Sequence, residues 1–287
     1  MKGVVITVTR KVTIITDSAA DLPREIALQR NIRIVPLYVT LGDDTFKDGV
    51  ELTPDELYLK MKFDKAVPRT SQPSPEDFRL AFEESSPPHV LCLTISANLS
   101  GTLQSAELSK ELLSESVQVT TYNTKNASLG EGLKVLIADD LAQIGLSVCE
   151  IINRLDALKL RTIFTVDHLQ YLERGGRISK AQATMAAVLD IKPILTMSSN
   201  GLIENVTKVR SRQKSIRYLL EQMEQDLTSQ YAGYIALSYA FCPEEAEKVL
   251  AVIQTKYPQA KIVTGPIGAA IGSHTGPGCL ALFYELK

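Results

Sequence analysis

Val90–Leu91–Cys92–Leu93–Thr94–Ile95–Ser96–Ala97–Asn98–Leu99–Ser100–Gly101–Thr102 joins a short, nearly all-apolar run to a turn rich in hydroxyls. A strand with one wet face alternates polar and apolar residues, so an unbroken run of this length reads as a central strand buried on both faces. Ser100 then opens a helix, its hydroxyl serving the free amides of the first turn. Strand, turn and helix in that order form the unit from which helix-covered parallel sheets are built. Upstream, Val12–Thr16 is a strand ending on Asp17 and Ser18, read as the cap of a first helix that opens near Leu22–Pro23. Ile32–Leu41 is a second strand, and Thr53–Pro54–Asp55–Glu56 and Ser74–Pro75–Glu76–Asp77 are two helix starts with cap, first-turn proline and acidic first turn. Downstream come a strand at Val117–Tyr122 and helices around Gly132–Gln143 and Ser147–Leu158.

After Leu160 the texture changes. Thr162–Val166 is a strand, and Glu173–Arg174–Gly175–Gly176–Arg177–Ile178–Ser179–Lys180 leads into a small-residue helix at Ala181–Leu189. Ser199–Asn200–Gly201 between Ile194–Met197 and Leu202–Val209 marks a hairpin, since Asn-Gly tolerates the positive φ of a tight turn. An amphipathic helix carries Ile216, Leu219, Leu220, Met223 and Leu227 on one stripe. Strand Tyr234–Tyr239, helix Pro243–Tyr257, strand Lys261–Val263 and strand Cys279–Glu285 close the chain. The expected fold is α/β: an N-terminal α/β domain at 1–160, a C-terminal α/β domain at 161–287, and a ligand site in the cleft at or near their interface.

Composition narrows the function classes. The chain has 287 residues, 45% hydrophobic and 22% charged, which is ordinary globular usage and excludes a disordered, collagenous or coiled-coil protein. Thirty-one basic against 33 acidic residues leave no bulk positive field to draw the molecule onto nucleic acid. The opening MKGVVITVTRK lacks the apolar length and cleavage pattern of a secretory signal, so a cytoplasmic protein is expected. Cys92, Cys149, Cys242 and Cys279 lie far apart and read as reduced, structural thiols. The uncharged stretch Ile262–Tyr284 is long enough to span a bilayer, but its glycines and prolines make it a strand, a loop and a strand. No phosphate-loop, dinucleotide, zinc-protease or nucleophile-elbow motif occurs, and His89, His168 and His274 have no close Cys or Asp cluster, so no metal is expected.

What remains is a set of hydroxyl-bearing loops at strand–helix junctions, where free amides favour an anionic group. They are Arg69–Thr70–Ser71–Gln72–Pro73–Ser74 and Ile95–Thr102, with Lys208–Val209–Arg210–Ser211–Arg212 and Gly272–Ser273–His274–Thr275–Gly276–Pro277–Gly278 further on. Taken singly, each is as well explained by helix capping, and His274 by an ordinary hydrogen-bonded loop histidine. Jointly and in this order, TSQPS, NLSGT, ERGGRIS and SHTGPG, with Ile15–Thr16–Asp17–Ser18 near the start, resemble the DegV family from about Thr13 to the terminus.

The resemblance implies a carrier that holds a long-chain fatty acid in an apolar tunnel and presents its carboxylate to a separate fatty acid kinase, which makes the acyl phosphate used in phospholipid synthesis. It implies Thr70, Ser100 and His274 as hydrogen-bonding partners of the carboxylate and Arg210 as the positive charge beside them. Arg174, Arg177 and Lys180 then form a docking surface for the kinase, against the plainer reading of a solvated face. On this reading the protein is no enzyme, needs no cofactor beyond the bound lipid, touches a membrane at most transiently and acts as a monomer. A Ser/His esterase or thioesterase using Ser100 or Ser273 with His274 is the alternative from another class, though no acidic partner is evident. A lipid-responsive regulatory module is the third.

Overall fold

A computed structural model describes residues 10–86, 89–114, 117–178 and 190–286. The apolar run becomes strand His89–Thr94 inside a four-stranded parallel sheet ordered Arg33–Val35, Val12–Asp17, His89–Thr94, Gln118–Asn123. Both of its faces are covered. Leu91 and Leu93 join Ile14 in the central core, while Val90 and Cys92 pack with Phe78, Phe82 and Ala106 of helices Pro75–Glu83 and Thr102–Ser109. That alternation is the two-residue period of a pleated strand.

Local chemistry fixes the helix starts. Thr53, Ser74 and Ser147 each accept from the third helical amide, while Glu56, Asp77 and Glu150 reach back to the cap amide, three reciprocal capping boxes. Ser100 does no such work: Gly101 precedes helix Thr102–Ser109, and the Ser100 hydroxyl bonds Thr102 Oγ1 at 2.8 Å. The expected strand Ile32–Leu41 is broken by Pro36 into Arg33–Val35, in the parallel sheet, and Tyr38–Leu41, the middle strand of a small antiparallel sheet with Asp44–Lys47 and Arg69–Ser71. Pro36 has no N–H to give a ladder, and the chain passes there from one sheet to the next.

The strands after residue 159 form one six-stranded sheet in the order Ile203–Arg210, Ile191–Met197, Leu160–Thr165, Leu280–Glu285, Tyr234–Tyr239, Lys261–Pro266. Neighbours are antiparallel except the last pair. On one face Ile163, Leu237 and Leu282 pack under helices Arg212–Asp226 and Pro243–Lys256; on the other, Phe164, Leu195, Ala236 and Phe283 meet Ile14 and Leu93 from the parallel sheet. One apolar core therefore lies between the two large sheets. Between Ile262 and Tyr284 the expected strand–loop–strand holds a seven-residue helix, Ala269–Thr275, and a short helix at Gln170–Arg174 precedes the glycine pair. The expected helix Ala181–Leu189 lies outside the described residues, as does Lys180. Among the described residues no helix is long and apolar enough to cross a membrane.

Candidate functional site

A narrow cavity runs between the carboxyl ends of the parallel strands and the inner face of the six-stranded sheet. Its walls include Ile95 and Leu99 from the first, Phe164, Met197, Ile203 and Phe283 from the second, and Ile267 and Ile271 from the segment around Ala269–Thr275. About 80 Å³ of it is open to the centre of a water molecule. Polar groups are few: Thr70, Ser100, Ser128, Thr162, Arg177, His274 and Thr275. The hydroxyls of Ser128 and Thr162 are committed elsewhere, to Asp21 at 2.6 Å and to the Asn126 side chain at 3.1 Å.

Thr70, Ser100, His274 and Arg177 reach this cavity from four separate segments. Thr70 stands opposite Val39 in the small antiparallel sheet, and its Oγ1 lies 2.7 Å from His274 Nε2. His274 occupies the last turn of Ala269–Thr275, so it is a helix residue and not the loop histidine expected from its flanking glycines. Burial, then the nearby Arg177 charge, pushes its pKa down to about 4, which keeps the ring neutral near pH 7. Ser100 is brought alongside because the Gln72 side chain lies over Gly101, where a Cβ would stand 3.0 Å from Gln72 Nε2. TSQPS and NLSGT thus touch through their Gln and Gly.

Arg177, expected with Arg174 and Lys180 in a docking surface, stands against the cavity. It is half-buried, donates from Nε to Leu99 O at 3.0 Å and from a terminal nitrogen to Gly175 O, and lines the cavity. Burial holds its pKa below the usual arginine value. Arg210, expected beside Thr70, Ser100 and His274, is exposed and does not line this cavity. It ends strand Ile203–Arg210, where the register shift between Asn205 and Thr207 reverses the alternation, so that Arg210, opposite Ile191, stands on the same face as Ile203, opposite Met197. Arg174 opens on an outer basin that continues from the cavity through Thr70, Arg177 and His274 and is lined also by Val67, Arg69 and Tyr171.

The glycine pair also makes a contact at the site. Gly176, at φ +70°, supplies the left-handed step, but a Cβ on Gly175 would stand 2.1 Å from His274 Nδ1, so only glycine lets the imidazole lie against this backbone. Asp17 is a cap: its two oxygens accept from Ala19 N–H and Ile95 N–H, each at 2.9 Å. Ser273 donates to Ala269 O at 2.7 Å, and among the described residues no carboxylate meets His274 Nδ1. Among the described residues no group of three His, Cys, Asp or Glu side chains is arranged to hold a metal ion.

Fold and site together define a mixed α/β protein with an apolar channel and a polar, hydroxyl–histidine–arginine mouth. The chain belongs to the DegV family: the family model described as "Uncharacterised protein, DegV family" matches residues 11–287. A DegV domain-containing protein of Clostridium perfringens is 36% identical over 284 residues, covering 96% of this chain and 97% of its own. Among solved structures, a fatty-acid-binding DegV family protein from Thermus thermophilus has 35% identity and a TM-score of 0.87, covering 96% of this chain and all of its own. DegV of Bacillus subtilis, a fatty acid binding protein, has 30% identity and a TM-score of 0.88, covering 97% of this chain and all of its own.

Proposed function

We propose that this chain binds one long-chain fatty acid, tail in the channel and carboxylate at Thr70, Ser100, Arg177 and His274, and presents it to a separate fatty acid kinase for conversion to the acyl phosphate. The observation that carries the reading is the Thr70–His274 pair, 2.7 Å apart, in a mainly apolar cavity that Ser100 and Arg177 also line. With its proton on Nε2 the neutral imidazole donates to Thr70 Oγ1, which frees the Thr70 O–H for a carboxylate. Arg177 supplies the charge that the family resemblance had put on Arg210. A carboxylate taken out of water costs several kcal/mol unless such charge-assisted bonds replace its hydration. The tail offsets the remainder: at about 0.8 kcal/mol per buried methylene, a sixteen-carbon acid gains about 12 kcal/mol before ordering costs, and a four-carbon acid only about 2.

The fatty-acid-binding relatives from Thermus thermophilus and Bacillus subtilis support the ligand class. The reading takes residues 1–160 and 161–287 as two α/β domains enclosing the channel, a cytoplasmic, monomeric carrier, and the outer basin with Arg174 as the face met by the kinase. Covalent chemistry stays with the partner, because the Ser100 and Ser273 hydroxyls are engaged away from His274 and, among the described residues, no carboxylate orients the ring. Native mass spectrometry of the purified protein, followed by analysis of its organic extract, is the test. The expected result is one long-chain fatty acid per chain, lost from Arg177→Ala and His274→Ala and kept by Arg210→Ala. Protein that is lipid-free under lipid-retaining conditions and takes up no added fatty acid would sink the carrier reading.

A further inference from the structure

The helix that carries His274 cannot cap itself. Ala269–Thr275 has seven residues, glycine before it and no acidic residue in its first turn, and a helix this short is marginal unless its surroundings hold it. Its leading amides are taken by two carboxylates from the far end of the chain. Gly268 N–H donates to Asp21 Oδ1 at 2.8 Å and Ala269 N–H donates to Asp48 Oδ1 at 2.9 Å. Both acids are buried, and their other oxygens are also engaged: Asp21 Oδ2 accepts from Ser128 Oγ–H at 2.6 Å and Asp48 Oδ2 from Ser18 Oγ–H at 2.7 Å. Ser18 Oγ in turn accepts from Leu37 N–H at 3.0 Å. Ser128 and Leu37 both line the channel, so the cap is tied to the wall that a ligand would press on. Tyr58 completes the seat. Its O–H donates to Ile267 O at 3.0 Å, and its ring lies so close to Gly272 that a Cβ there would meet Tyr58 Oη at 2.3 Å.

We infer that Asp21 and Asp48 are positioning residues for His274: from two remote segments they fix the start of its helix and thereby the place of the imidazole against Thr70. His274 lies five residues beyond Ala269, about 7.5 Å along the axis at about 1.5 Å per residue, so the capped end is less than two turns from the ring. The inference rests on the fatty-acid reading for its consequence, and on geometry alone for the ring position.

The test compares Asp48→Ala, which leaves the Ala269 amide without its acceptor, with Asp48→Asn, which keeps an acceptor oxygen, and with Val249→Ala, a core truncation in the cluster on the far face of the six-stranded sheet. Two readouts are taken: uptake of oleate, and the His274 ring resonance in histidine-labelled protein, identified by its loss in His274→Gln among only three histidines. Expected are a moved ring resonance and at least about tenfold weaker uptake in Asp48→Ala, substantial recovery of both in Asp48→Asn, and neither change in Val249→Ala. A ring resonance in Asp48→Ala that matches wild type overturns the inference, as does an equal shift in Val249→Ala. Should Asp48→Ala fail to fold, Ser18→Ala removes the bond that orients Asp48 and is read by the same criteria. If wild type takes up no oleate, the fatty-acid reading fails, and the ring resonance by itself still decides the positioning role.

Discussion

His274 sits where a charged ring would be expensive, and that cost makes the site sensitive to acid. Burial, with Arg177 adding to it, lowers its pKa to about 4 from an ordinary value of about 6.5. A group depressed in this way contributes its full stability above the ordinary value and loses it as pH falls toward 4, because the folded state resists the proton that the unfolded state accepts. Asp17 and Asp48 run the other way. Burial raises them to about 7 and about 6, so their contribution is complete below the ordinary carboxylate value and is lost as pH rises through that window. The histidine is therefore isolated by comparison: the stability gap between wild type and His274→Gln, measured by thermal melts, is expected to narrow as pH drops from 7 to about 4.5. A gap that stays constant across that range would contradict a buried neutral ring.

At the scale of elements, the hairpin of Ile191–Met197 and Ile203–Arg210 is held at its tip by close contacts. Its tip is fastened to the turn of the opening motif: Ser96 Oγ–H donates to Gly201 O at 2.7 Å and Asn98 Nδ2–H donates to Asn200 O at 2.6 Å. Met197 and Ile203, on either side of the tip, are channel wall. Gly201 has φ +76°, and a Cβ there would stand 2.2 Å from Ser96 Oγ, so an alanine is both strained and in collision. Gly201→Ala is expected to cost about 1–3 kcal/mol of stability in denaturant titration and to speed lipid exchange by loosening that wall. Unchanged stability would show that the tip does not depend on this close approach.

For the molecule as a whole, the question is whether the two large sheets unfold separately. The apolar cluster between them is continuous, with Ile14 and Leu93 on one side and Phe164 and Phe283 on the other. A polar clasp reinforces it. Asp139, fully buried, pairs with Arg10 at 2.9 Å and Arg30 at 3.1 Å, and Arg30 also donates to Tyr234 Oη at 3.2 Å across to the second sheet. Removing one partner of such a group leaves buried charge uncompensated, so Asp139→Ala is expected to lose about 3–5 kcal/mol. Urea unfolding followed by circular dichroism and by calorimetry is expected to show one coincident transition. Two resolved transitions would mean that the shared core does not couple the sheets.

The sequence by itself determined the elements whose causes are local: the doubly buried strand at His89–Thr94, the helix starts at Thr53, Ser74 and Ser147, and the hairpin turn at Asn200–Gly201. Period and capping act over a few residues, so they are legible in the order of the letters. The family resemblance likewise pointed to Thr70, Ser100 and His274, which the fold brings to one cavity. Tertiary structure decided that Arg177 lines that cavity, because its guanidinium is held there by Leu99 O after the end of a short helix, a packing that no spacing encodes. It also decided that Gly175 makes room for an imidazole 99 residues away, and that Asp21 and Asp48 cap a helix more than 200 residues downstream. Contacts of that reach exist only once the sheets have closed on a common core, and there the identity of each neighbour is set by packing rather than by position in the chain.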